Sequence, residues 1–215
     1  MSLDVTQLEL GPFPVNCYVV RRSGAGESVV VDPGWPGELE RVAGALEGGR
    51  CAGILVTHGD LDHLGGVAEL AEATGAPVHM AADERERLER LDEIVASGYG
   101  MVARPYVPDV LLAGDETLEL AGITFETVRV PGHTAGHLAY HADGHLFSGD
   151  VLFTGSVGRT DRPGNSWDDL LASIRLLVER FPRETVVHSG HGPDTTLGRE
   201  LESNPFLAEL RAPTR

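Results

Sequence analysis

The chain has 215 residues, 41% of them hydrophobic, and a formal net charge of −16. That length suits one sizeable domain with a real core. A balance this acidic matches neither phosphate backbones nor anionic lipid, which argues against nucleic-acid and membrane-surface roles, and no apolar run approaches the ~20 residues a bilayer crossing needs.

The N-terminal stretch MSLDVTQLELGPF lacks the basic and apolar regions of a signal peptide, so a reducing, cytoplasmic setting is expected. Cys17 and Cys51 form no CxxC pair and no disulfide framework, and read as buried structural thiols. Short β-type runs follow one another: CYVV, SVVVD, GILVTH and APVHM in the first half, then ITFETVRV, HLAYH and HLFSGD. Helical patterns lie between and after them. PGELERVAGALEGG places Leu39, Val42 and Leu46 at helical spacing, and HLGGVAELAEATG does the same with Val67, Leu70 and Ala71 before Gly75. SWDDLLASIRLLVERFP begins on a Ser166 cap and stops before Pro182. Strand–helix alternation followed by consecutive strands predicts stacked sheets with helices outside. Residues 83–116 begin as a charged helix and then lose periodicity, which predicts an irregular surface excursion or lid within one domain spanning 1–215.

Four separated segments carry the groups suited to chemistry. THGDLDH packs His58, Asp60, Asp62 and His63 into six residues, and VPGHTAGH supplies His133 and His137. LFSGD ends on Asp150, and VVHSGHG holds His188 and His191. Each group sits where an apolar, β-rich run gives way to a Gly-rich turn, so strand ends of one sheet edge can gather them around metal. His79, His141 and His145 read as ordinary surface or hydrogen-bonded residues, and His137 and His188 as partners that orient a neighbouring ligand.

Taken in order, THGDLDHLGG, PGHTAGH, FSGDVLF and SGHG resemble the motifs of the metallo-β-lactamase superfamily, with VVVDPG similar to its first, non-ligand motif. GDVLFTGSVGRTDRPG and GHGPDTTLGRELESNPFL look like the short bacterial hydrolases related to glyoxalase II, the hydroxyacylglutathione hydrolases. The resemblance covers about residues 10–207. It implies a four-layer αββα sandwich with a metal pair at one edge. Metal one would take His58, the residue at 60 and His133; metal two would take Asp62, His63 and His191; Asp150 would bridge them and Asp32 would brace the site. The implied activity is hydrolysis of a small-molecule thioester or ester by a monomer or homodimer. Paired divalent ions generate hydroxide near neutral pH and polarise a carbonyl, and Asp62 would serve as both ligand and proton acceptor. Arg159, in VGRTD, would neighbour the substrate or form a structural ion pair. No protein nucleophile is evident.

Two departures qualify the resemblance. The superfamily pattern HxHxDH reads HxDxDH here, because Asp60 stands where imidazole is usual. A carboxylate is shorter by about 2 Å and favours iron or manganese relative to an all-imidazole zinc site. The flavodiiron proteins place Glu at this point and bind iron, which makes direct ligation by Asp60 chemically reasonable. Second, only 24 residues follow His191, so the glutathione-gripping C-terminal domain of long glyoxalase II enzymes has no counterpart. The alternatives are a mononuclear iron persulfide dioxygenase using His58, His133 and Asp150, a lactonase or other ester hydrolase of the same fold, and a degenerate site.

Overall fold

A computed structural model describes residues 2–96 and 102–211. Its architecture follows from strands that are apolar on both faces. β1 (Leu3–Leu10), β2 (Val15–Arg22) and β3 (Glu27–Val31) form an antiparallel meander. After α1 (Leu39–Ala45) the chain returns as β4 (Arg50–Leu55), and after α2 (Leu61–Leu64) and α3 (Val67–Thr74) as β5 (Val78–Ala81). α4 (Arg85–Glu89) and α5 (Leu91–Ala96) precede the edge strand β6 (Val110–Leu112). The first sheet has the order β1-β2-β3-β4-β5-β6, parallel from β3 onward.

The second sheet takes β7 (Thr117–Leu120), β8 (Ile123–Arg129), β9 (Leu138–Ala142) and β10 (His145–Gly149). A small hairpin, β11 (Leu152–Phe153) and β12 (Ser156–Val157), leads to α6 (Trp167–Arg180). β13 (Val186–Ser189), β14 (Thr195–Thr196) and α7 (Leu197–Ser203) complete the layer, in the order β14-β13-β10-β9-β8-β7. The Ser166 hydroxyl caps α6 by accepting from the Asp169 amide at 3.2 Å.

Strand alternation builds the four-layer αββα sandwich. In β2, Tyr18 and Val20 point into the core between the sheets, against Phe125, Tyr140 and Phe147. Cys17 and Val19 point the other way, against Val67, Leu70 and Leu88 of the first helical layer. On the far side, Val128, Leu146 and Val187 pack on Leu170, Ile174 and Leu177 of α6. Both cysteines are free and buried, and burial raises the Cys17 thiol out of the reactive range.

Two strands and one segment differ from the sequence pattern. β1 and β6 lack a clear apolar run because edge strands bury little, and neither is visible in the sequence pattern. The 83–116 segment is more regular than an excursion: Leu88 and Leu91 are fully packed, and residues 110–112 pair in parallel with β5. Residues 97–101, within the expected lid, lie outside the described residues.

Strand direction positions the site. β3 and β4 run parallel to each other, and so do β8, β10 and β13, so their C-terminal ends gather at one edge of the sandwich. The two sheets are tied there by Leu138 N donating to Thr57 O at 2.8 Å, Tyr140 Oη to Val56 O at 2.7 Å and Asn16 N to Gly190 O at 2.8 Å. Truncating the inter-sheet core should be costly. Phe125→Ala is expected to lower unfolding free energy by about 3–5 kcal/mol in urea titrations, while leaving the edge-borne site assembled in the remaining folded protein.

Candidate metal centre

Five loops deliver side chains to this edge. The loop after β4 carries His58 and Asp60 and runs into α2, which carries Asp62 and His63; the loop after β8 carries His133 and His137. Asp150 follows β10 and His191 follows β13, while Asp32 closes β3. Asp32 adopts a left-handed backbone, φ 49°, held by its amide donating to Leu55 O. Its Oδ1 accepts from the Thr57 amide at 2.8 Å, and its Oδ2 accepts from the Thr57 hydroxyl at 2.7 Å and His63 Nδ1 at 2.8 Å.

The imidazoles share one tautomer, fixed by what their Nδ1 atoms touch. Thr57 donates its hydroxyl to Asp32, so it accepts from His58 Nδ1 at 3.0 Å. His63 donates to Asp32, His133 donates to Arg159 O at 3.0 Å, and His191 donates to Pro14 O at 2.5 Å. Nε2 is therefore the atom each ring has left for a metal, its lone pair free once the ring is neutral, and all four are aimed at the same space. Buried Nε2 atoms of His58, His63 and His133, and Oδ1 of Asp150, have no hydrogen-bond partner among the described residues. Buried polar atoms in native proteins are rarely orphaned without a ligand or water to meet them.

Separations between these atoms suit shared ions. His191 Nε2 stands 3.3 Å from Asp62 Oδ2 and 3.6 Å from Asp150 Oδ2. His63 Nε2 is 3.4 Å from Asp150 Oδ1, and His133 Nε2 is 3.4 Å from Asp60 Oδ2 and 3.7 Å from Asp150 Oδ2. Donors around a tetrahedral ion at ~2.0–2.1 Å stand about 3.3–3.4 Å apart. Three overlapping triads emerge: His58, Asp60 and His133; His58, His63 and Asp150; Asp62, His63 and His191. The residues fit a pair of divalent ions.

The glycines beside them are sterically required. A Cβ at Gly190 would lie 2.1 Å from Asp150 Oδ1 and 2.7 Å from the His63 ring.

His137 resembles its neighbours in tautomer but not in role. Its Nδ1 donates to Leu138 O, and its Nε2 accepts from the Asp150 amide at 3.1 Å. With that lone pair spent, His137 holds Asp150 in place; burial, then the neighbouring His133, pushes its pKa down to about 3. His188 stacks on Phe147 and meets His145 at 2.9 Å, away from the triads, and His141 stacks on Phe181. His79 is buried in β5.

Charge follows from the same contacts. Burial opposes a proton on His63, yet Asp32 and Asp150 outweigh it and raise its pKa well above the usual imidazole value. Carboxylates likewise raise His133 and His191 against burial. Burial would raise Asp150, but His63, His191 and His133 hold it far below the usual carboxylate range.

Asp60 has acquired partners that the motif does not reveal. Arg87 Nη2 donates to its Oδ1 at 3.0 Å and Arg162 Nη1 to its Oδ2 at 2.9 Å. Burial favours the neutral acid, but His133, Arg162 and Arg87 prevail and pull its pKa to about 2. Arg87 also donates Nε to Gly59 O at 2.7 Å, and a Cβ at Gly59 would sit 2.4 Å from Arg87 Cδ. Glu84 is a second group missing from the sequence expectations. Buried to 3% exposure, it accepts from the Gly59 amide at 3.1 Å and the Gly136 amide at 2.9 Å, joining the two loops that carry His58 and His133. Its signal was positional: Glu84 lies just past the C-terminal end of β5, the same kind of place as the other site residues. Arg159 pairs its guanidinium with Asp161 at 2.6 and 2.8 Å while its carbonyl orients His133.

A cavity of about 310 Å³ opens beside Asp60 and Asp62, lined also by Arg87, Arg159 and Arg162 on its polar side and by Phe13, Trp35, Leu61 and Ile94 on its apolar side. Concave access, orphaned imidazole nitrogens and shared carboxylates in an αββα sandwich suit a metal centre open to a small molecule. The sequence profile of the metallo-beta-lactamase superfamily matches residues 10–191, and the chain belongs to that superfamily. It is 33% identical over 213 residues to hydroxyacylglutathione hydrolase GloC of Haemophilus influenzae, covering 95% of this chain and 98% of that one. Among solved structures it is similar to BLEG-1 B3 metallo-beta-lactamase (36% identity, TM-score 0.87, covering 95% of this chain and 100% of that one). It is also similar to TTHA1623 in a di-iron-bound form (38% identity, TM-score 0.82, covering 94% and 100%). Among the described residues no helix is long and apolar enough to cross a membrane.

Two outcomes follow. Glu84→Ala strands two buried amides and is expected to lower unfolding free energy by about 2–4 kcal/mol, read by urea denaturation, with weakened metal binding. Metal must displace the protons that His63, His133 and His191 hold against a raised pKa, so Zn²⁺ affinity should rise between pH 6 and 8 by about tenfold or more, measured by chelator competition.

Proposed function

We propose that the chain is a two-metal thioester hydrolase of the hydroxyacyl-thiol type, with ion one held by His58, Asp60 and His133, ion two by Asp62, His63 and His191, and Asp150 shared between them. The observation that carries this reading is the set of Nε2 atoms converging on Asp150, with Asp60 and Asp62 of the same cluster reaching the cavity wall. Near full-length likeness to a hydroxyacylglutathione hydrolase supports the thioester class, and likeness to a di-iron protein supports iron as a candidate beside zinc and manganese.

When bound, such ions supply Lewis acidity toward a carbonyl oxygen and a nucleophile from water at neutral pH. The protein's own groups do the rest. Asp62 lines the cavity and is partly exposed, placing a carboxylate where a water proton can be accepted. Asp32 and His137 hold His63 and Asp150 in register, so little reorganisation accompanies reaction. Phe13 and Trp35 meet edge to face at 5.8 Å and supply the apolar side of the cavity. Arg159, its guanidinium paired with Asp161, lines the same cavity and is the proposed neighbour of a substrate's polar end.

A mononuclear iron oxidoreductase would leave Asp62, His63 and His191 without a task, although their donor atoms lie within 4.8 Å of one another. The hydrolase reading uses them all. Purified protein is expected to hold two metal ions per chain, to hydrolyse S-lactoylglutathione and to lose that activity with a chelator. One iron per chain with oxygen uptake on glutathione persulfide would overturn the reading, as would two bound metals with no activity on a thioester panel.

A further inference from the structure

Two cavities meet at Asp60, Arg87 and Arg162, which line both: the 310 Å³ space, and a smaller one of about 180 Å³ that also takes in His133, Thr134 and Asn165. Two guanidiniums from opposite sides, one on α4 and one on the loop after β12, converge on this single carboxylate. The Thr134 hydroxyl oxygen is buried at the same wall and has no hydrogen-bond partner among the described residues. The small cavity is therefore bordered by two arginine forks, with Thr134 and Asn165, around a space the size of a small organic acid, in a chain whose overall charge is −16.

We propose that the 180 Å³ cavity is a site for a small carboxylate, the class to which the acid product of thioester hydrolysis belongs, and that filling it strengthens metal binding at His58, Asp60 and His133. The proposal rests on the two-metal reading above. Asp60 Oδ2 serves two masters: Arg162 at 2.9 Å and the space it shares with His133 Nε2 at 3.4 Å. A carboxylate entering the cavity takes guanidinium donors from Asp60 and returns its lone pairs to the metal side. The same carboxylate offsets two positive charges that repel a cation at that point. Both effects have one sign, so anion and metal reinforce each other, and linkage requires the reinforcement to be reciprocal.

The test is Zn²⁺ titration of metal-free protein against a chromophoric chelator at constant ionic strength, with acetate as the probe and acetamide as its neutral control. Acetate should tighten one of two Zn²⁺ sites by about 5- to 50-fold, and acetamide should leave it unchanged. In Arg87→Gln/Arg162→Gln the acetate effect should vanish while the other site is unaffected. Both arginines are half-exposed, and the acetate–acetamide comparison in the unaltered protein stands without the variant. Equal responses to acetate and acetamide overturn the proposal. So does an acetate effect that survives in the variant, since acetate would then ligate the metal directly. If fewer than two Zn²⁺ bind under any condition, the two-metal reading fails; if two bind and acetate changes nothing, only this proposal fails.

Discussion

The structure depends on four buried or half-buried imidazoles whose Nδ1 protons are all committed elsewhere. Thr57, Asp32, Arg159 O and Pro14 O take those protons, and the Nε2 lone pairs are left facing Asp150. Such an arrangement is expensive in the free protein, because orphaned acceptors and a buried carboxylate lose hydration without compensation. It persists because the two sheets, pinned at this end by Leu138, Tyr140 and Asn16, hold the five loops from the outside. The inter-sheet core of Tyr18, Phe125, Tyr140 and Phe147 is thus what fixes the distance between ligand groups carried by different sheets.

Much of this was legible from the sequence, for a physical reason. A strand that ends at a functional edge shows an apolar run, then a ligand beside a glycine, and that signature marks His58, His133, Asp150 and His191. The helices α1, α3 and α6 show their buried stripes because each packs one face on a sheet. Strands at the edges were hidden: β1 alternates weakly and β6 has three residues, so neither buries enough to shape its composition. Glu84, Arg87 and Arg162 were hidden differently. In DERERLER, Glu84 and Arg87 look like any solvated charged helix, and only the tertiary approach of β5's end to the ligand loop gives them work.

Asp60 illustrates how a local departure is absorbed. Replacing a neutral imidazole by a carboxylate adds one negative charge to a site already containing Asp62 and Asp150. Arg87 and Arg162 bring two positive charges to it, and Gly59 leaves room for the first of them. A histidine at position 60 would therefore not be a simple reversion. It would leave two guanidiniums without their acceptor beside a cationic site, so the residue and its arginines must be considered as one unit.

The central claim is that two ions share Asp150, one on each side of the His58–His63 loop. Anomalous diffraction at the metal absorption edge from crystals of metal-loaded protein tests it most directly. The account predicts two peaks per chain, one among His58, Asp60 and His133 and one among Asp62, His63 and His191, both in contact with Asp150. A single peak, or an Asp60 turned wholly to Arg87 and Arg162 with no metal beside it, would contradict the account.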